Sequence, residues 1–550
     1  MTIDLTADRA SWPAPTGPPL AVPRVPGRPR LRPFLPVVVV VALALCLSGL
    51  SFAALSIALA LVLVATSILF APPRSAMATA AAVCAALALA VTDVSRMPLE
   101  GRLWGYAGVA VCLSPFVVFP LRRIGTFPYL HVFMLIQGAY LYVTVTLAAV
   151  PPYYAARYSD AYRVQGLRMM FWFVALMVVV ASALQSRGAS RARMRQTQLT
   201  VAPLARSSVR RAVAVLIIGR VTVEVLRAVH LSSRLGSLAR IPEVCWLAAM
   251  LVLVWAWKEG RLRAIEKVAL VGFVVGEMMA ALGAGALYLV ATPLIAALGL
   301  LMMKSRRVPW LTVTVAILAL IVVNVVKADF RVQRKAGTIQ GDTISMGVAF
   351  LDLAAGQARQ LDVTQVGISS FRFDRVTLLG YLDAKVPSRY PYWNGYSYRN
   401  APYAVVPRVL VPWKPRFTLG NEFGRAFGFL DPQDRTTSEN SPLVAEAFVN
   451  YGRVGMAVVA VLSGLVLAFA ARATRGSPLS VAVVGAITAT ELIGGIESGI
   501  TAVLFAWPIA LVAGWTVRWI TAPGAASVVD LTDGLGSAAG IGAISAGSPR

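Results

Sequence analysis

Three cations lie close together in one proline-rich stretch of the chain. Residues 405–416 read VVPRVLVPWKPR and contain Arg408, Lys414 and Arg416. Proline rings fix the backbone of this stretch, and its apolar neighbours limit the access of water to the cations. Arginine in particular can clamp phosphate oxygens with two parallel hydrogen bonds. The stretch therefore indicates a binding site for an anionic group such as a phosphate.

Two further arginines precede this stretch on a predicted helix. Residues 363–386 have a helical pattern, and Arg372 and Arg375 are three residues apart within it. Side chains at this spacing project from the same face of a helix. A solvated surface position is the alternative interpretation of each arginine.

Aromatic side chains crowd into the same region. They are Tyr390, Tyr392, Trp393, Tyr396, Tyr398, Tyr403 and Trp413. Flat apolar faces with polar edges suit sugar rings, although aromatic packing at a membrane interface is an equal alternative. Phosphate clamps beside aromatic faces suggest a lipid-linked sugar as the ligand.

The composition places these residues in a membrane protein. The chain has 550 residues, 58% of them hydrophobic, and a formal net charge of +26. Repeated apolar runs of about 20 residues match the thickness of a bilayer core. Because basic residues accumulate on cytoplasmic loops and beside anionic headgroups, the charge favours a membrane over a nucleic-acid partner.

The cysteines indicate neither a disulfide framework nor a metal site. All four lie in apolar runs, outside the polar region that holds the cations: Cys46, Cys84, Cys112 and Cys245.

The predicted fold is an all-α polytopic membrane protein of about 14 transmembrane helices with one large extracytoplasmic loop domain between late helices. Five segments are expected: a disordered cytoplasmic tail over 1–33, transmembrane helices 1–11 over 34–326, the large loop with the candidate site over 327–452, transmembrane helices 12–14 over 453–519, and a disordered cytoplasmic tail over 520–550. Residues 186–211 carry seven arginines and no acid, which places that loop in the cytoplasm. This sidedness puts the candidate site outside the cell membrane and both termini inside. The apolar run 268–303 is expected to form two short helices, broken around Gly283 and Gly285.

Several charges fall inside predicted transmembrane helices. Arg220, Glu224 and Arg227 share one helix face. Either they form ion pairs within the bundle, or Arg227 and His230 border the external site. Elsewhere, Glu491 and Glu497 bracket a glycine-rich outer hairpin, where helix capping or ion pairing is the favoured interpretation. Glu277 has no assigned role.

Residues 372–455 carry a pattern that resembles bacterial O-antigen polymerases. Its parts are PYWNGYSY at 391–398, PR at 407–408, P-x-K-P at 412–415, GNEFG at 420–424 and PLVAEAFxNYGxxG at 442–455. The wider group is the O-antigen polymerase and ligase superfamily of polysaccharide-assembly membrane proteins. Its layout, with many helices and one large external loop late in the chain, is similar to that predicted here.

The resemblance implies an activity. Members of the superfamily join oligosaccharide units carried on undecaprenyl pyrophosphate at the outer face of the cytoplasmic membrane, with no nucleotide sugar, no metal and no other cofactor. Lipid-linked oligosaccharides, membrane lipid and, as possible partners, a chain-length regulator and a flippase would then be expected. Ligase-like members carry a loop histidine in a segment resembling S-H-N, whereas this chain has Ser438-Glu439-Asn440. The resemblance therefore favours polymerase over ligase.

The resemblance also implies roles for residues. Arg375, Arg408 and Arg416, helped by Lys414, are expected to hold the pyrophosphate and stabilise its departing charge. Glu439 or Glu446 is expected to orient or deprotonate the acceptor hydroxyl. The remaining expected substrate-binding residues are Arg372, Asn421, Arg425, Tyr392, Trp393 and Tyr398, with Asn450 as a further sugar ligand. A flippase or transporter is the non-enzymatic alternative.

Overall fold

The computed structural model describes residues 97–119, 127–146, 158–192, 204–229, 235–285, 287–305, 329–358, 374–406, 410–414, 419–435, 437–473 and 479–522, with a few isolated positions between them. The predicted N-terminal tail, the predicted C-terminal tail after residue 522, and parts of the segment predicted to hold transmembrane helices 1–11 lie outside these residues. So do Arg372, Arg408 and Arg416 among the predicted site residues.

The described part of the chain is helical and contains no β-strand. The helices are α1 (Leu99–Val118), α2 (Tyr129–Thr146), α3 (Asp160–Ala192), α4 (Arg206–Ala228), α5 (Arg240–Lys258), α6 (Ala264–Gly283), α7 (Leu287–Ser305), α8 (Thr343–Ala358), α9 (Arg375–Lys385), α10 (Tyr396–Val405), α11 (Leu419–Ala426), α12 (Leu443–Ala473), α13 (Leu479–Ser498) and α14 (Ile500–Thr521).

Four of the described helices are long and apolar enough to cross a membrane. They are Tyr129–Thr146, Asp160–Gln185, Arg240–Lys258 and Leu443–Arg472. Shorter apolar helices include Ala291–Met302, Ile344–Gln357 and Ala482–Gly494. The prediction of a helical membrane protein is confirmed at this level, whereas the count of 14 spans and their sidedness stay predictions.

Helix α3 lies at the centre of the packing that supports the candidate site. It packs against α1, α9 and α12. Its contact with α9 is very close, since a Cβ atom on Gly166 would overlap the Val376 carbonyl and one on Gly380 would overlap the Tyr162 carbonyl. The short helix α9 is thereby held directly on a candidate membrane span.

The predicted break in the apolar run 268–303 is present. Helix α6 ends at Gly283 and α7 begins at Leu287. Gly285 between them has φ +64°, a left-handed conformation that glycine adopts without a steric penalty. The two helices are thus separated where the sequence predicts the break.

One helix within the predicted polar loop is apolar. Helix α8 packs against α6, and Phe350 is buried against Phe330 with ring centroids 5.1 Å apart. Ile344 and Val348 remain exposed on its outer face. The segment 327–452 is therefore less uniformly polar than its overall composition indicates.

The charges predicted to share a face of α4 form ion pairs between helices. Arg220 contacts both Glu224 and Glu277 of α6. Arg227 lies 3.0 Å from Glu224 and 3.6 Å from Glu243 of α5. These contacts favour the ion-pair interpretation of α4 and give Glu277 a partner. Likewise, Arg240 lies 3.1 Å from Glu491 of α13.

Candidate functional site

Helix α9 positions the candidate site, and its first turn is fixed by a buried ion pair. Asp374 caps the helix by accepting the Thr377 amide at 2.9 Å. Its other oxygen accepts the Thr377 hydroxyl at 2.6 Å and Arg163 Nε of α3 at 3.2 Å. The Arg163 side chain is 7% exposed and that of Asp374 is 0% exposed. Because this ion pair is buried, it fixes the start of α9 against α3.

The last turn of α9 carries a second ion pair. Asp383 accepts Gln165 Nε2 of α3 at 2.7 Å. Arg453 of α12 donates to both Asp383 oxygens, at 3.3 and 3.2 Å, and its side chain is 42% exposed. Asp374 and Asp383 are about 14 Å apart along the helix axis, given a rise of about 1.5 Å per residue. We call the surroundings of Asp374, Asn421 and Glu439 the anchor end, and those of Asp383, Tyr398 and Asn450 the cavity end.

At the anchor end, Arg375 and Glu439 contact each other. Arg375 Nη1 donates to Glu439 Oε1 at 3.0 Å, and the side chains are 12% and 22% exposed. The Glu439 amide donates to the Gly420 carbonyl at 3.1 Å. A Cβ atom on Gly420 would overlap the Ser438 hydroxyl, so this glycine allows α11 to approach the chain at 438–439. Two predicted catalytic residues are thus brought together.

Asn421 and Arg425 of α11 are engaged with the protein itself. Asn421 Nδ2 donates to the carbonyls of Asp434 and Thr437, at 3.0 and 2.6 Å. Its Oδ1 accepts Arg425 Nε at 2.9 Å. The Asn421 nitrogen therefore holds the loop that leads to Glu439, and its oxygen is occupied by Arg425 of the same helix. Their predicted role in binding sugar stays a prediction.

Trp393 belongs to an aromatic cluster that packs the interior of the site region. Its ring centroid lies 5.2 Å from that of Phe427 and 6.0 Å from that of Phe423. Tyr381 and Phe429 continue the cluster, with centroids 5.2 Å apart.

Lys414 lies outside this cluster. Its ammonium donates to the Tyr403 carbonyl at 2.7 Å and to the Val406 carbonyl near the end of α10. Trp393 and Lys414 thus have structural contacts in addition to their predicted roles.

Helix α12 breaks beside the cavity end. Tyr451 and Gly452 have non-helical backbone angles, with φ +62° and ψ −151° at Gly452. The Trp393 amide donates to the Val449 carbonyl at 2.8 Å, which satisfies a group near the end of the first helical portion. A Cβ atom on Gly452 would lie 3.0 Å from the Tyr392 hydroxyl. Glycine thus meets both the conformational and the steric requirement of the break.

A cavity of about 1200 Å³ opens beside this break. Its polar part is formed by Asp383, Arg453, Asn394, Tyr398 and Asn450, and Tyr392 also lines it. Its apolar part is formed by Val458, Val459 and Leu462 of α12 and Leu504 of α14. The cavity therefore joins a polar region to the apolar surface of a candidate membrane span.

The polar wall of the cavity contains two buried atoms without a partner in the described part of the chain. Asn450 is fully buried, and its Nδ2 donates to Ser397 Oγ and to the Glu446 carbonyl, both at 2.8 Å. Asn450 Oδ1 and the Tyr398 hydroxyl have no hydrogen-bond partner among the described residues. Unpaired buried polar atoms are costly, so atoms of this kind at a cavity wall mark a place for a ligand or water.

Glu446 lies behind this wall and does not line the cavity. It is 0% exposed, and its Oε2 accepts the Ile500 amide at the start of α14 at 2.7 Å. Ser397 contacts the same carboxyl group. The predicted catalytic carboxylate thus caps a helix in this structure.

Sequence reasoning missed two residues at the cavity end. Asp383 and Arg453 are 70 positions apart, and neither was singled out as a ligand. The available signal was that Arg453 falls within the pattern at 442–455, directly after NYG. In the described residues, no group of three or more His, Cys, Asp or Glu side chains is arranged to hold a metal ion.

Comparison with known proteins gives no relative. No protein-family model matches the chain, and neither a curated protein nor a solved structure is detectably similar to it.

Proposed function

We propose that this protein polymerises oligosaccharide units carried on undecaprenyl pyrophosphate, at the outer face of the cytoplasmic membrane. The observation that carries the proposal is the cavity at the break of α12, which is lined by polar side chains near the break and by the apolar Val458, Val459 and Leu462 further along α12. A lipid-linked glycan has the same division into an apolar chain and a polar head. The resemblance of residues 372–455 to O-antigen polymerases supports the same conclusion.

The apolar part of the cavity suits a polyprenyl chain. Val458, Val459 and Leu462 follow the break on the portion of α12 that belongs to a candidate membrane span. An isoprenoid chain in the bilayer is already out of water, so its binding along this wall would depend on van der Waals packing and not on the hydrophobic effect. A substrate could reach it laterally, since the Leu462 side chain is 53% exposed on the outside of the helix bundle.

Two of the cations that we propose to bind the pyrophosphate, Arg408 and Arg416, belong to the connection between α10 and α11. Helix α10 contributes Tyr398 to the cavity wall and ends at Val405, just before Arg408. Arg416 precedes α11, and Arg375 contacts Glu439 across the anchor end. Arginines that meet the departing pyrophosphate would stabilise its charge as the glycosidic bond breaks.

Catalysis in this proposal depends mainly on positioning. Holding two lipid-tethered substrates together replaces a bimolecular encounter and can supply about 7–11 kcal/mol. Of the two predicted carboxylate bases, Glu439 is paired with Arg375 and Glu446 caps α14. We therefore assign the rate enhancement to the cations and to substrate placement, with Glu439 holding Arg375 in position.

Filling the apolar part of the cavity tests this function. Purified protein would be reconstituted with lipid-linked units extracted from cells that lack it, and product length would be followed by gel. We expect wild type to give a ladder and Leu462→Trp to lose at least about tenfold in rate, because about 1.4 kcal/mol of lost chain binding has that effect.

Leu465→Trp is the matched control, since Leu465 is 40% exposed on the same helix and does not line the cavity. A wild-type protein that moves the lipid-linked unit across vesicles without elongating it would replace the polymerase proposal by a flippase. Equal activity of the two tryptophan variants would remove the cavity from the mechanism.

A further inference from the structure

The orientation of the Asn450 side chain decides what the cavity wall can bind. Its Nδ2 faces the Glu446 carbonyl at 2.8 Å, and a carbonyl oxygen only accepts hydrogen bonds. The amide nitrogen must therefore point there, which leaves Oδ1 as the unpaired atom of a residue that lines the cavity. An amide oxygen requires a donor from its ligand, such as a hydroxyl or an N–H group.

Tyr398 adds a second unpaired polar atom to the same wall. Its hydroxyl is buried and has no hydrogen-bond partner among the described residues. Burial, and then the nearby Glu446 carboxylate and Tyr451, raise the pKa of the Tyr398 hydroxyl. The group therefore stays protonated and can both donate to and accept from a ligand hydroxyl.

The charges at the wall do not favour an anion. Among the described residues that line the cavity, Arg453 supplies the positive charge and Asp383 the negative charge. They are 3.2 Å apart, so each largely neutralises the other. A phosphate group carries only acceptor oxygens when fully ionised, and it would meet the unpaired Asn450 Oδ1 as a second acceptor.

We propose that Asn450 and Tyr398 form a seat for an uncharged, hydroxyl-bearing group, the first sugar of the glycan, and not for a phosphate group. This assignment deepens the proposed function, because it places the first sugar at the cavity end. The pyrophosphate, which joins that sugar to the polyprenyl chain, then lies between the seat and the apolar side chains of the cavity. The alkyl part of the same ligand lies along Val458 and Leu462, and its first sugar reaches the wall formed by α10 and the first portion of α12. The seat selects a head group that donates hydrogen bonds.

Photolabelling with two matched amphiphiles tests the seat without any turnover. The full-length protein in lipid nanodiscs would be exposed to a dodecyl maltoside that carries a diazirine in its alkyl chain, and separately to a dodecyl phosphate with the same chain. Mass spectrometry would quantify labelling of the peptide that contains Val458 and Leu462. Leu511 is 76% exposed on α14 and does not line the cavity, so its labelling gives the bilayer background.

We expect the maltoside probe to label the cavity peptide above background, and to do so at least about fivefold more than the phosphate probe, as one hydrogen bond of about 1 kcal/mol would produce. Tyr398→Phe should reduce maltoside labelling by about fivefold. This variant removes a hydroxyl without a described partner and leaves the Asn450 bonds intact, whereas changing Asn450 would remove two bonds within the protein. Tyr396→Phe, on the same helix, is the matched control, because the Tyr396 hydroxyl donates to Glu422 at 2.8 Å and not into the cavity.

Stronger labelling by the phosphate probe would overturn the assignment in favour of an anion site. Equal labelling of Tyr398→Phe and Tyr396→Phe would also overturn it. Labelling as expected from a protein that forms no glycan ladder would contradict the proposed polymerase while leaving the sugar seat supported.

Discussion

The two ends of α9 carry similar residues in different situations. At the anchor end, Asn421 uses both its nitrogen and its oxygen within the protein. At the cavity end, Asn450 uses its nitrogen alone, and its oxygen has no partner in the described part of the chain. Both asparagines were predicted to bind sugar hydroxyls. The comparison indicates that the number of internal partners, more than the residue type, separates a structural amide from one available to a ligand.

The ion pairs at the two ends differ in the same way. Arg163 and Asp374 are almost completely buried, whereas the Arg453 side chain is 42% exposed at the cavity. Removal of one partner from a buried pair leaves an uncompensated charge, while an exposed partner is solvated by water. We infer that the Arg163–Asp374 pair maintains the fold and that the Asp383–Arg453 pair is free to respond to a ligand.

The largest expected effect comes from breaking the buried pair. Arg163→Met should destabilise the protein by about 3–5 kcal/mol, because Asp374 is left charged and buried. Arg453→Met is the matched control and should cost less, about 1–2 kcal/mol, because the Asp383 side chain that it leaves behind is 14% exposed and keeps its hydrogen bond from Gln165. Thermal and denaturant unfolding in a mild detergent would measure both. Similar losses in the two variants would break the distinction between the two ends.

Two tyrosines on α10 give a smaller, more selective test of stability. Tyr396→Phe should cost about 1.5–3 kcal/mol, since its hydroxyl donates to the Glu422 carboxylate. Tyr398→Phe should leave the free energy of unfolding unchanged or slightly raised, because no described group loses a hydrogen bond. The unfolding free energies of the two variants in detergent provide the comparison. A larger loss for Tyr398→Phe would mean that its hydroxyl has an internal role.

The smallest expected effect concerns Glu446. Glu446→Gln preserves an oxygen that can accept the Ile500 amide, so the cap of α14 should persist. We expect less than about a tenfold loss of polymerisation rate, a difference of about 1.4 kcal/mol in activation free energy. The assay is the gel ladder used for the cavity variants, with circular dichroism to verify folding. A loss of about 100-fold or more in a folded variant would instead identify Glu446 as the general base.

Sequence patterns located several helices and local features of this fold. The break at Gly283 and Gly285 was predicted from glycines in an apolar run, and α6 and α7 are separated there. The charges on α4 were predicted to share a face, and they form ion pairs. Such features depend on neighbours in the sequence, so periodicity and composition are sufficient to find them.

Contacts at the site were harder to predict, because they join distant parts of the chain. The pairs Arg163–Asp374 and Asp383–Arg453 are separated by 211 and 70 positions, and no local pattern specifies such pairings. The role of an asparagine amide likewise depends on which carbonyls the fold places beside it. Sequence reasoning therefore named Asn421 and Asn450 alike, although their surroundings differ.

The break in α12 also determines how the helix fits the thickness of a bilayer. Without the break, its 31 residues would extend about 46 Å, which exceeds a hydrocarbon core of about 30 Å. The portion after Gly452, residues 453–473, extends about 31 Å and matches that thickness. Gly452 therefore sets the depth at which the polar wall stands above the hydrocarbon. One residue inserted after it would turn the apolar stripe of α12 by about 100° relative to Asn450 and separate the two halves of the cavity.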